Sequence, residues 1–117
     1  MKTPKYTRTQ AMRLIPLLEG IANEIQERRD AIAVLEEMIP SLQAGHSLHS
    51  IEVSIRENEL RRERIELRRI GHELEKLGCS LTVTDPFELF IPGLDEGFAW
   101  RRGETFLRVA SFEPFAA

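Results

Sequence analysis

The sequence predicts an α+β fold that is mostly α: a long antiparallel helical hairpin, coiled-coil-like, followed by a small C-terminal β module. Three observations carry this. Apolar residues recur at alternating three- and four-residue spacing up to residue 77. Composition changes once, near Gly78, from Glu/Arg-rich to Phe, Thr, Pro and Gly. Beyond it the apolar period becomes two. A chain of 117 residues and 13.5 kDa is the size of one domain, 1–117.

The first helix is expected over 8–39. Thr7-Arg-Thr-Gln10 fits a capping box, with Thr7 and Gln10 each bonding the other's amide. The seam then reads Ala11, Leu14, Leu18, Ile21, Ile25, Ile32, Leu35 and Ile39, and Arg28 is its one break. Such a helix is about 48 Å long. Pro16 should kink or loosen it, and Pro40 with the Ser-rich stretch after it should end it.

The second helix is expected over 50–77, closed by Gly78 in a left-handed cap. Its seam is Val53, Leu60, Leu67, Ile70, Leu74 and Leu77, interrupted by Arg56 and Glu63. A connection of about ten residues makes the helices antiparallel neighbours. Folding at Gln43–His46 pairs positions whose numbers sum to roughly 90. Leu18 then faces Leu74, Ile25 faces Ile65, and Arg28 falls opposite Glu63. An Arg28–Glu63 ion pair there would set the register of the hairpin. Gly20 and Gly71 fall opposite each other as well, which would suit a close approach.

The apolar stripe is wider than two helices need. Ile15, Ala22, Ala31, Val34 and Met38 flank the first seam, and Ile51, Ile55 and Ile65 flank the second. Two isolated helices would leave these residues in water. Packing two hairpins into a four-helix bundle removes that cost, so the expected partner is a second copy of the chain.

Charge narrows the function classes. Basic residues number 16 and acidic residues 19, for a net charge of -3. The run Arg56, Arg61, Arg62, Arg64, Arg68 and Arg69 suggests an RNA-gripping arm at first sight. Yet between 56 and 76 seven basic residues meet six acidic ones. Glu57–Arg61, Glu59–Arg62, Glu66–Arg69 and Arg69–Glu73 are spaced for intrahelical pairing. A phosphate-binding surface needs unpaired positive charge, so nucleic acid is not the expected partner. A protein partner docked on the helix face is compatible with the pattern. No apolar run reaches the roughly 20 residues that span a bilayer, and no secretory core is seen, which favours a cytoplasmic protein. Cys79 is the sole cysteine, so an intrachain disulfide is impossible, and it reads as a small buried apolar residue.

The β module is expected over 80–110. Leu81 and Val83 alternate in one strand, and Asp85-Pro86 turns the chain. Phe87, Leu89 and Ile91 alternate in the next. A hairpin follows, turning at Arg102-Gly103. It puts Phe98, Trp100, Leu107 and Val109 on one face, and Ala99, Arg101, Phe106 and Arg108 on the other. Trp100 is expected as a core anchor.

Several of these features occur together in one known family. Tyr6-Thr7 opening a leucine-rich helix, a Glu/Arg-rich second helix ending at Gly78, the step Thr84-Asp85-Pro86 and the stretch Trp100-Arg101-x-Gly103-Glu104 resemble the bacterial domain of unknown function 2203. The resemblance implies a helical hairpin with a small β module. It brings no activity, and so no functional residues.

Catalytic and cofactor motifs are missing from the sequence. Gly93-Leu-Asp-Glu-Gly97 lacks the Lys-Ser/Thr of a phosphate loop, no nucleophile elbow occurs, and no cofactor is expected. His46, His49 and Glu52 are spaced to hold a metal if the second helix starts early, though three ligands at a hairpin tip form a thin site. The expected function is a non-enzymatic, homo-oligomerising scaffold or interaction module. The alternative is a ligand-binding or enzymatic protein with a pocket between the helix ends and Trp100 and Arg101, completed in a dimer. Glu104 and Arg108 would belong to that surface.

Overall fold

The computed structural model of the chain describes residues 4–45, 51–82 and 87–110. Two long helices, α1 (Arg8–Gly45) and α2 (Ile51–Lys76), pack as a hairpin and are followed by a four-stranded antiparallel sheet. The strands are β1 (Ser80–Leu81), β2 (Glu88–Ile91), β3 (Gly97–Arg101) and β4 (Arg108–Ala110), in spatial order β1-β2-β3-β4. The residues group into two compact units, Met1–Ala22 with His72–Ala117, and Asn23–Gly71.

The helix ends follow the sequence rules. The Gln10 amide donates to Thr7 Oγ1 at 3.1 Å and the Thr7 amide to Gln10 Oε1 at 2.9 Å, which completes the capping box. At the end of α2 the Gly78 amide donates to the Glu75 carbonyl at 2.9 Å and the Cys79 amide to the Leu74 carbonyl at 3.1 Å. With φ of 78° at Gly78, this is a Schellman cap, with Leu74 and Cys79 both buried beside it. The Tyr6 hydroxyl donates to the Leu77 carbonyl at 2.7 Å, satisfying another orphan acceptor of that helix end.

The prolines act more weakly than expected. α1 continues through Pro16, whose ring is exposed, and past Pro40 to Gly45 instead of ending near 39. Pro40 deprives the Glu36 carbonyl of its helical donor. The next carbonyl, that of Glu37, accepts from Ser41 Oγ at 3.3 Å, so a side chain reinforces the turn at the proline. The close approach expected at the glycines is also corrected. A Cβ added at Gly20 or at Gly71 would meet nothing within 4 Å.

In the unit Asn23–Gly71 the buried apolar residues are Ile25, Leu35, Ile39, Val53 and Ile70, all on the expected seams. Each large aliphatic chain so buried contributes roughly 1.5–3 kcal/mol. Ile65, expected opposite Ile25, instead stays 52% exposed.

The other unit is built around the sheet. Leu89 pairs with Trp100 and Ile91 with Phe98, and all four side chains are buried on one face. The helical segments of the same unit add Ala11, Leu18, Ala22 and Leu74 to the core. Ala22, expected on the flank of the seam, is fully buried. Gly93 sits in the bend between β2 and β3, where a Cβ would overlap the Glu96 carbonyl oxygen. Only glycine fits there. The Tyr6 amide and carbonyl bond to Pro92 and Leu94, docking the residues before α1 on that bend.

The β3–β4 register differs by two residues from the expected one. Phe98 pairs with Val109 and Ala99 with Arg108, leaving 102–107 as the connection. The turn at Arg102-Gly103 does form. The Glu104 amide donates to the Arg101 carbonyl at 3.0 Å, and Gly103 has φ of 93°. Beyond it, Glu104 is held by its own bonds to Trp100 and Arg101, so the ladder resumes only at Arg108. A slip of two preserves parity, so Val109 still shares a face with Phe98, though 53% exposed, and Arg108 with Ala99, while Phe106 and Leu107 fall in the connection outside the ladder. Val83 and the Asp85-Pro86 turn lie outside the described residues.

Candidate functional site

Two surfaces collect the residues that the sequence singles out. The first is the polar face of the sheet. Alternation places Glu88, Phe90, Ala99, Arg101 and Arg108 on this side, opposite Leu89, Ile91, Phe98 and Trp100. Glu88 Oε2 accepts from Arg101 Nε at 2.8 Å and from Arg108 Nη2 at 2.6 Å. The Glu104 carboxylate accepts from the Arg101 amide at 2.7 Å and from Arg108 Nε and Nη2 at 3.2 Å. Burial by itself would raise the Glu88 carboxyl. The bonds from Arg108 and Arg101 outweigh it and hold the pKa below the ordinary carboxylate value. Glu104 is lowered by the same balance, against its own burial. The Arg108 guanidinium is pushed up by its bonds to Glu104 and then Glu88.

The cluster therefore neutralises itself. Two guanidinium groups, those of Arg101 and Arg108, meet two carboxylates, so the four charges balance. Trp100 is not on the surface at all. Its side chain is fully buried and its Nε1 donates to the Glu104 carbonyl at 2.8 Å. Burial of this large ring removes it from any docking surface, and the satisfied Nε1 leaves no polar group waiting for a ligand. Glu88 was missed in the sequence. Its outward position was legible from the alternation of Phe87, Leu89 and Ile91, but its partners require the β2–β3 register.

The second surface is the hairpin within Asn23–Gly71. Arg28 Nη1 reaches both Glu63 oxygens, at 2.7 and 3.0 Å, and Arg28 Nη2 lies 3.5 Å from Glu24 Oε2. The Nε atoms of Arg28 and Arg56 are buried without a hydrogen-bond partner among the described residues. On one flank of this pair runs an open groove. Ala31, Val34, Leu35 and Met38 of α1 give it an apolar floor, and Asp30, Arg56, Glu59, Arg62 and Glu63 rim it. Val34 is 55% exposed, and Ile51 and Ile55 of α2 are 79% and 49% exposed.

The Arg run is only partly paired as expected. Arg69 engages Glu66 at 2.7 Å, Arg56 takes Glu59 at 2.8 Å, and Arg64 reaches across to Glu36 at 2.7 Å. Arg61 turns to Asn58 instead of Glu57. Among the described residues Arg62 and Arg68 have no carboxylate within 4 Å: Glu59, the expected partner of Arg62, is held by Arg56, and Arg68 has no carboxylate three or four residues away.

His46 and His49 lie outside the described residues, and Glu52 is exposed. Among the described residues no group of three or more His, Cys, Asp or Glu is placed to hold a metal ion. Cys79 is buried, and that burial pushes its thiol up to about 11, away from nucleophile behaviour. Among the described residues no helix is long and apolar enough to cross a membrane.

A family model described as Uncharacterized conserved protein (DUF2203) matches residues 5–108. No curated protein and no solved structure matches the chain.

Proposed function

The chain belongs to the family described as Uncharacterized conserved protein (DUF2203), and on that footing we propose that it is a non-enzymatic scaffold whose hairpin self-associates. The observation that carries this reading is the open apolar groove floored by Ala31, Val34 and Met38. An exposed apolar strip with a polar rim is the form of an interaction site. Its rim carries Arg56 and Arg62 together with Asp30, Glu59 and Glu63. A rim with both signs is self-complementary under a two-fold axis, where each residue meets its counterpart's neighbour. A second copy is therefore the occupant that fits, and two paired hairpins make a four-helix bundle. Arg28 and Glu63 act as the register device of this hairpin. A cytoplasmic setting suits the free thiol of Cys79.

The alternative, a ligand pocket around Trp100 and Arg101, is less supported, because Trp100 is sealed and Arg101 is committed to Glu88. Sedimentation equilibrium or native mass spectrometry tests the proposal. Wild-type protein is expected as a dimer at micromolar concentration, and Val34→Glu with Met38→Glu as a folded monomer. A wild-type monomer at that concentration would sink it.

A further inference from the structure

We infer that the paired hairpins stack about a two-fold axis parallel to their helices, with Arg62 of each copy bonded to Glu27 and Asp30 of the other. The inference rests on self-association through the groove of Val34 and Met38. It adds which helix meets which, and which charges lock them.

Helical period places the participants. At about 100° per residue, Glu27, Ala31, Val34 and Met38 of α1 share an arc of roughly 60°. Asp30 stands about 40° beyond Val34, on the side away from α2. On α2, Ile51, Ile55, Glu59 and Arg62 share an arc of roughly 80°. Both arcs border one groove, lined by Asp30, Ala31, Val34 and Met38 from α1 and by Glu59 and Arg62 from α2. The Arg28–Glu63 bond sets their heights along the hairpin. Ile51 stands level with Pro40, Ile55 with Glu36 and Arg62 with Arg29.

Three charges on this face are left over. Among the described residues Arg62 has no carboxylate within 4 Å, and neither Glu27 nor Asp30 has a cation. Asp30 accepts from the neutral amide of Gln26 at 2.9 Å. All three residues are exposed. The charges around them are taken: Glu59 by Arg56, Glu66 by Arg69 and Glu24 by Arg28.

Two axes can bring this face against its own copy. An axis parallel to the helices keeps every height and lays α2 of one copy over α1 of the other. Ile55 then meets Val34 and Met38, and Ile51 meets Met38. Arg62 arrives between Glu27 and Asp30, which are three residues apart and within the span of one guanidinium. Every neighbouring pair of helices is antiparallel, as in an up-and-down bundle. An axis across the helices lays α1 over α1 and reverses the heights. Centring the same apolar residues on it carries Glu27 and Asp30 over 41–45, which hold no charge. Only the parallel axis matches apolar residues and leftover charges together.

The test is native mass spectrometry of full-length charge-reversed chains, alone and mixed. Arg62→Glu should weaken the homodimer about tenfold, as should Glu27→Lys with Asp30→Lys. Mixing the two variants should restore affinity, because every cross-copy contact then joins opposite signs. The heterodimer should exceed its statistical share. Arg62→Gln, a milder change, should weaken the homodimer less and flatten its dependence on salt. A wild-type dimer whose variants mix only statistically, or whose affinity ignores Arg62→Gln and Arg62→Glu, would overturn this arrangement alone. A wild-type monomer would overturn the self-association beneath it as well.

Discussion

One terminal nitrogen of Arg28 spans both carboxylate oxygens of Glu63, at 2.7 and 3.0 Å, across the two helices of the hairpin. Each residue stands where its helix would otherwise carry an apolar seam residue. The two polar breaks meet, so one exception in each helix becomes a single match between them. Sliding either helix by a turn would leave Arg28 and Glu63 both unpaired against apolar neighbours. The cost of that slip is larger than the worth of the pair itself.

Removing one partner should expose this. The side chains are 31% and 19% exposed, so the loss is smaller than for a fully buried pair. Arg28→Leu should destabilise the protein by about 1–2 kcal/mol. Adding Glu63→Leu should recover part of that loss, a coupling that urea unfolding of the four proteins of the double-mutant cycle reads directly. If Arg28→Leu matched wild type in both stability and subunit count, the register role would fail.

Acid should act through the sheet. Glu88 and Glu104 titrate below their ordinary value of 4.5 in the folded protein. Their contribution to stability is thus complete above that value and is lost as pH falls through the lowered pKa. Thermal melts between neutral pH and about pH 3 should show the decline confined to the acid end. Glu88→Gln should flatten it and should cost about 1 kcal/mol at neutral pH, since the carboxylate is largely but not fully enclosed.

Cys79 should be silent in the native state. It is 4% exposed and its thiol titrates near 11. Alkylation by iodoacetamide at mildly alkaline pH should proceed only as the chain unfolds, so its rate should track the unfolded population in denaturant. Rapid labelling of the native protein would contradict the burial described here.

The connection between β3 and β4 depends on a glycine for conformation, not for space. A Cβ at Gly103 meets nothing within 4 Å, yet φ is 93°. Gly103→Ala should therefore destabilise by about 1 kcal/mol. Gly103→Asn, which tolerates left-handed backbone, should cost less. Trp100→Phe should cost more, about 2–3 kcal/mol, because it leaves a cavity and strands the Glu104 carbonyl. Calorimetry of the three variants should return that order.

The sequence made local features plain. Thr7–Gln10 and Gly78 marked helix ends because capping is decided within a few residues, and the seam from Ala11 to Ile39 reads off helical period alone. The flank that Val34 and Ile55 leave in water was visible for the same reason. Features settled by distant residues were not. Pro40 looked like a stop, but the helix continues past it with Ser41 bonded to Glu37. Gly20 and Gly71 suggested close approach, while the space around each is open. Parity gave the right faces to Phe98 and Trp100. Register did not follow, because it depends on how Glu104 is held by Trp100 and Arg101. Glu88 stayed hidden until strand pairing set it beside Arg101 and Arg108.

The unit that contains the sheet is assembled from both ends of the sequence. Tyr6 bonds Leu77, Glu19 receives the Gly103 amide, and Arg8 reaches the Leu107 carbonyl. The unit Asn23–Gly71 is contiguous and closes on itself across one short connection. Closing the longer loops carries a larger entropic cost, and the bonds to Gly103 and Leu107 cannot form until the chain around β3 and β4 exists. On a ribosome, the unit Asn23–Gly71 is therefore ready to fold while the residues before it still wait. Tyr6 and Arg8 are made before the unit 23–71 and reach their places after it.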